Sequence, residues 1–353
     1  MMFSSDIAAA SRHCLEHGIN FAVYAMPGDE HVTFIADDGT GWNGDEQSMK
    51  GFFINTFGNT LTPPVLIRPQ WDCLTVLDSK RNPAMTQPAT GRLCTKSTCR
   101  DEYIKNIERL TGELKRDGGK TVISRVICGD GNGIDWIKVA GRYFEAYPST
   151  FRFLYNTSVT GAWLGASPEI LLSRDNDGNT LSTMALAGTR TRSDMPWDSK
   201  NIAEHNFVTD YIVSTLDSLG IVPVVHEAHN VAYGDIEHLC HDITADYTGP
   251  LLPLLNRLSP TPALAGVPLE TAMRHISEYE SHERNCYGGY VGVSDRSGTH
   301  AFVNLRCVNF DMNGYCIYAG GGITEASKAG DEWDETEAKA KHLLSIIKSG
   351  RDE

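Results

Sequence analysis

The sequence predicts an α+β fold, with runs of strands interrupted by helices rather than the strict strand–helix alternation of a doubly wound parallel sheet. Three observations carry this expectation. Short apolar runs between residues 151 and 187 alternate with Gly, Asn and Asp turns, the pattern of a meander. Residues 198–218 place Ile202, Phe207, Ile212, Val213 and Leu216 at helical spacing. A last group of strands, 289–319, runs through a glycine turn into an acid-rich helix.

In chain order, a short helix over 7–16 precedes strands at 20–26 and 31–36, separated by the Pro27-Gly28-Asp29 turn. The proline-rich stretch 62–88 reads as irregular. Ser97-Thr-Cys-Arg-Asp-Glu102 supplies a helix start, with Ser or Thr as N-cap and acids in the first turn. Tyr103, Ile104, Ile107, Leu110 and Leu114 continue that helix until Asp117-Gly118-Gly119 ends it, and a strand follows at 120–128. The meander comprises 151–155, 161–165, 170–173 and 181–187, with Asp177-Gly178 as a hairpin signal. The late strands, 289–294, 300–309 and 316–319, are joined by Asp295-Arg-Ser-Gly298 and Asn313-Gly314 turns. No linker, low-complexity run or repeat divides the chain, so residues 1–353 read as one domain.

Composition narrows the partners. With 31 basic and 45 acidic residues the formal charge is −14, and no Lys/Arg cluster is long enough to follow a nucleic-acid backbone. No apolar run reaches the roughly 18 to 20 residues that span a bilayer, and Met1-Met-Phe-Ser-Ser-Asp-Ile lacks the basic and apolar regions of a signal peptide. The expectation is a cytoplasmic protein without nucleic-acid or membrane partners. Nine cysteines, odd in number and without a Cys-x-x-Cys pair, read as reduced thiols.

The candidate chemistry lies in three segments. Asp331-Glu-Trp-Asp-Glu-Thr-Glu337 holds five acids in seven residues, and on a helix Glu332, Glu335 and Lys339 share one face. Two carboxylates there suit Mg²⁺, although acids also gather in a first helical turn for the macrodipole alone. Gly320-Gly-Gly322 before the helix lets backbone N–H groups approach an anionic ligand. Glu169 stands among apolar strand residues, where it is either exposed or a proton carrier with a raised pKa. Asn201 and Glu204 share a face of the 198–218 helix, so two helices can aim polar groups at one ion. Gly129-Asp-Gly-Asn-Gly-Ile-Asp135 lacks the Glu of a calcium loop and reads as a turn, and the scattered histidines as structural.

These segments, with Leu186-Ala-Gly-Thr189, Ser259-Pro-Thr-Pro-Ala-Leu-Ala-Gly-Val-Pro268, Tyr287-Gly-Gly-Tyr-Val-Gly292 and Leu305-Arg-Cys307, occur in an order that resembles the chorismate-utilising enzymes, the anthranilate synthase component I-like family. The resemblance runs from about residue 95 to the end, leaving 1–94 as the variable N-terminal part. It implies one large α+β domain, central antiparallel sheets with helices outside, and an Mg²⁺-dependent reaction of chorismate. It further implies Glu204 and Glu332 as metal ligands, with Glu335 and Asn201 acting through metal-bound water. Asn201 departs from the acid found there in the family. Gly188, Thr189, Arg306, Gly320 and Lys339 would hold the carboxylates of chorismate, while Tyr287 and His238 line the pocket.

Two positions sort the family. Lys120 matches the general base of its water-adding members, where anthranilate synthases carry Gln; Ala187 stands where aminodeoxychorismate synthases place a nucleophilic Lys. The implied reaction is addition of water at C2, activated by Lys120, with loss of the C4 hydroxyl, protonated by Glu169. The product would be isochorismate, for menaquinone or catechol siderophore synthesis; the alternative is a salicylate synthase that goes on to eliminate pyruvate. No glutaminase subunit is expected, and the chain reads as a monomer or weak homodimer.

Overall fold

A computed structural model of the chain describes residues 3–78, 93–176, 179–233 and 236–351. In chain order these form α1 (Ser5–His17), β1 (Asn20–Ala25), β2 (Thr33–Asp37), β3 (Gly51–Asn55), β4 (Val65–Ile67), α2 (Cys73–Leu77), α3 (Arg100–Asp117), β5 (Lys120–Asp130) and α4 (Trp136–Ala146). The meander follows as β6 (Phe151–Thr157), β7 (Gly161–Ser167), β8 (Ile170–Asp175) and β9 (Thr180–Thr191). Next come α5 (Ser199–Ser218), β10 (Val224–Val225), β11 (His229–Tyr233), β12 (Ile236–Asp246), α6 (Leu251–Leu258), β13 (Gly266–Val267) and α7 (Leu269–Tyr279). The chain closes with β14 (Tyr290–Ser294), β15 (Gly298–Val303), β16 (Cys307–Phe310), β17 (Gly314–Ile323) and α8 (Ala329–Ser349).

The strands make two antiparallel sheets. The first runs β13-β5-β17-β16-β7-β6-β1-β2, and the second β10-β12-β9-β8-β15-β14-β3-β4, with β11 beside β12. Facing side chains of the two sheets, among them Phe52, Phe153, Tyr155, Trp163 and Phe302, form the central core. Along β6 the alternation is plain: Phe151, Phe153 and Tyr155 point to that core, while Leu154 points outward. The outer face of the first sheet is covered by α1, α4 and α8 through Cys14, Tyr143, Phe144, Leu343 and Ile347. Helices thus lie outside central antiparallel sheets, and residues 20–67 contribute strands to both.

The meander is continuous in sequence but divided in space, since β6 and β7 belong to the first sheet and β8 and β9 to the second. The crossing falls at Pro168-Glu169. The stretch 300–309, expected as one strand, is likewise broken into β15 and β16 in different sheets. Its break is at Asn304-Leu-Arg306, where Arg306 adopts φ 51°, a left-handed conformation that ends a strand. The two crossings run side by side. Val303 N–H donates to Glu169 O at 3.0 Å and Ala166 N–H to Arg306 O at 3.4 Å.

Other expectations are corrected locally. The N-cap of α3 is Cys99, because Ser97 and Thr98 spend their hydroxyls on β5. The buried face of α5 is Val208, Ile212 and Leu216, whereas Ile202 in its first turn is 41% exposed. The stretch 62–88 contains β4 and α2; its residues 79–88, like the Asp177-Gly178 turn, lie outside the described residues.

Candidate active site

The cleft at the two crossings is walled by β9, β12, β17 and α8 and lined by Glu169, Gly188, Thr189, Glu204, His238, Tyr287, Arg306, Gly320 and Lys339. Every residue that the resemblance implied as a carboxylate binder or pocket wall lines this one cleft. Lys120, Asn201, Glu332 and Glu335 stand behind its lining.

Glu169 is carried in by the first crossing, buried, with Thr261 Oγ1 donating to its Oε1 at 3.4 Å. Burial pushes its pKa up to about 8, against the opposing pull of the Thr261 hydroxyl and the Lys120 charge. It therefore holds a proton at neutral pH. Arg306 arrives by the second crossing, where Tyr143 Oη donates to its carbonyl at 2.8 Å and its guanidinium lies 4.7 Å from the Tyr233 ring centre. Its Nη2 is 3.3 Å from His238 Nε2. Burial first, then the Arg306 and Lys339 charges, lowers His238 to about 3, so the imidazole is neutral. The network assigns the tautomer: Nε2 accepts from Arg306, and Nδ1–H donates to Gly188 O at 3.0 Å.

Lys120 opens β5 and is completely buried, its Nζ 2.8 Å from Glu204 Oε1. Glu204 projects from α5 toward the end of β17. A Cβ on Gly322 would stand 2.6 Å from Glu204 Oε1 and 2.7 Å from Lys120 Cε, so only glycine admits both side chains there. Its neighbour Gly321 serves Glu332 similarly, whose Oε2 is 3.0 Å from that Cβ position. Two carboxylates, one from each helix, thus flank the glycine run. This donor set fits a magnesium ion, which takes one or two carboxylates and completes its shell with waters or substrate oxygens.

Glu335 and Asn201 also make direct protein contacts. Lys339 Nζ donates to Glu335 Oε1 at 2.6 Å and to Gly320 O at 2.8 Å. Asn201 Oδ1 accepts from Thr189 N–H at 3.0 Å, and its Nδ2 donates to Asp198 Oδ2 at 2.9 Å. Asn201 therefore ties α5 to the Gly188-Thr189 turn.

Sequence reasoning missed Thr261, Tyr143 and Tyr318. Thr261 lay inside a quoted motif and could have been found; Tyr318 stacks on Tyr287 with ring centres 5.4 Å apart, one position before Ala319. Nothing in the local sequence marks Tyr143, which reaches Arg306 from α4.

The family model described as chorismate binding enzyme matches residues 64–348. Isochorismate synthase EntC of Escherichia coli K12 is 31% identical over 263 residues, 70% of this chain and 66% of that protein, just under two thirds of the relative's length. Among solved structures, MenF from Escherichia coli superposes with a TM-score of 0.78 at 19% identity, covering 98% of this chain and 91% of that one. DhbC from Bacillus anthracis gives 0.76 at 22% identity, over 97% and 100%. These likenesses establish the fold. With the family model spanning most of the chain and the quoted motifs meeting in one cleft, the protein belongs to the chorismate binding enzyme family.

Proposed function

We propose that this chain is a magnesium-dependent isochorismate synthase, converting chorismate to isochorismate by adding water at C2 and expelling the C4 hydroxyl. The observation that carries the reading is the pairing, at one cleft, of a buried lysine with a buried carboxyl that keeps its proton at neutral pH. Lys120, ion-paired with Glu204 in the resting site, first gives up its own proton to solvent, and its neutral amine then takes the proton of the attacking water. Glu169 hands its own to the departing C4 hydroxyl. Arg306 and Lys339, with Gly188, Thr189 and Gly320, bind the carboxylates of chorismate, and the stacked Tyr287 and Tyr318 rings form an apolar wall. Glu204 and Glu332 would hold the magnesium ion, supported by Glu335 and Asn201; when bound, it neutralises a substrate carboxylate.

Residues 1–353 act as one catalytic unit, with 1–94 its variable part. Water rather than ammonia is the nucleophile, so no glutaminase partner is needed, and a cytoplasmic monomer or weak dimer would suffice. The name of the EntC relative points the same way. Menaquinone or catechol siderophore synthesis would consume the product.

The test is a proton NMR time course of chorismate with protein and Mg²⁺. Isochorismate in equilibrium with chorismate is expected, abolished by exhaustive chelation and reduced at least ~100-fold in Lys120→Ala. Accumulating salicylate and pyruvate would instead make the chain a salicylate synthase, and full turnover by Lys120→Ala would end the assignment of the base.

A further inference from the structure

Three of the cysteines meet at a place the chemistry above does not use. The sulfurs of Cys94, Cys128 and Cys316 all lie within 4.8 Å of one another. Cys128 and Cys316 are direct partners across β5 and β17, their Sγ atoms 2.9 Å apart. Cys94 comes from the segment leading into α3, and that segment is fastened to β5. Thr98 N–H donates to Val126 O at 2.9 Å, Thr98 Oγ1 accepts from Val126 N–H at 3.0 Å, and Ser97 Oγ accepts from Cys128 N–H at 2.9 Å. The third sulfur is thus delivered by a built backbone arrangement. Cys316 is buried while Cys94 and Cys128 are half-buried, so solvent reaches the cluster.

A buried cysteine ordinarily serves as a small hydrophobe, and a facing pair can oxidise to a disulfide. Neither role needs three. We propose that Cys94, Cys128 and Cys316 form a binding site for a thiophilic closed-shell cation, Zn²⁺ or Cu⁺, held by three thiolates. A Zn–S bond of about 2.3 Å sets sulfurs around one ion roughly 3.8 Å apart, between the 2.9 Å of the Cys128–Cys316 pair and the 4.8 Å within which all three lie. Thiolates select such ions over Mg²⁺, and the site would not compete for the magnesium of the cleft. Each thiol releases its proton to solvent as it binds, so affinity falls in acid. The site also bears on the cleft: Cys316 and Tyr318 share a face of β17, and Tyr318 lines the cleft. An ion there would brace β17 just before its glycine run.

The test uses the full chain, reduced and stripped of metal, titrated with Cd²⁺ while the thiolate-to-cadmium charge-transfer absorption is followed. One saturable equivalent per chain is expected, at least ~10-fold weaker in Cys94→Ser and in Cys128→Ser, and unchanged in Cys99→Ser, an exposed neighbour outside the cluster. In the unmutated chain, Cd²⁺ should slow alkylation of Cys94, Cys128 and Cys316 but not of Cys99, a readout independent of how the variants fold. Displacement of Cd²⁺ by Zn²⁺ or by anaerobic Cu⁺ supports the site, and whichever acts at lower concentration names the preferred ion. The proposal is overturned by the absence of a saturable equivalent, by full affinity in Cys94→Ser, by equal alkylation of all four thiols, or by displacement with neither ion.

Discussion

At the scale of the residue, Glu169 and His238 are tuned chiefly by burial, in opposite chemical senses. Burial disfavours charge, so the carboxyl keeps its proton and the imidazole loses its own. The consequence for Glu169 has a sign. Its folded pKa of about 8 stands above the ordinary 4.5, so the native state holds a proton that the unfolded chain gives up between those values. Stability from this group therefore declines as pH rises from 4.5 through 8. Glu169→Gln should accordingly raise Tm relative to the parent above pH 8, with the gain vanishing below about pH 4.5, while cutting chorismate turnover by ~100-fold or more. Parent turnover should also fade as pH climbs through about 8 and the acid is lost. Superimposable Tm–pH profiles for the two proteins would refute the buried protonated carboxyl. Glu169 was legible as an oddity among apolar residues. The route by which it is buried was not, because Thr261 and the crossing that carry it are remote in sequence.

At the scale of the element, α5 and α8 each bring one carboxylate to the glycine end of β17. Asp198 caps α5 by accepting from Asn201 N–H at 2.8 Å, and its other oxygen holds the Asn201 amide that receives Thr189 N–H. Asp198→Ala should thus cost about 1 kcal/mol in urea unfolding and weaken substrate binding through the loosened Gly188-Thr189 turn, seen as a raised KM. An unchanged midpoint together with an unchanged KM would show that the cap does neither. Helix α5 was readable from its spacing, but Ile202 misled because the first turn stands clear of the core. Helix α6 escaped notice because Pro253 interrupts a leucine run; in the first turn of a helix, a missing N–H costs nothing. Helices α4 and α7 bury faces against neighbours that the sequence does not name.

At the scale of the whole molecule, two sheets pressed face to face fix the separation of everything in the cleft. Phe153 is central to that layer, its ring filling the space that a side chain on its cross-strand partner Gly165 would take. Phe153→Ala should destabilise the protein by about 3–5 kcal/mol, measured by urea unfolding, and lower turnover as the crossings loosen. A loss below about 1 kcal/mol would mean that the layer collapses around the gap and does not set the cleft. The residues bearing the chemistry were available to the sequence because they are local signals: acids at helical spacing, a glycine run, a lone Glu, and motifs shared with a family. Strands β5 to β9 and helices α3, α5 and α8 followed from periodicity for the same reason, whereas α4, α6, α7, β3, β11 and β12 did not. Only the tertiary structure decided that the meander divides between two sheets, that 300–309 is two strands, and that the crossings lie together with Glu169 and Arg306 upon them. Side-chain alternation reports which faces are buried but not against which sheet, so a strand's change of sheet leaves no mark on the pattern.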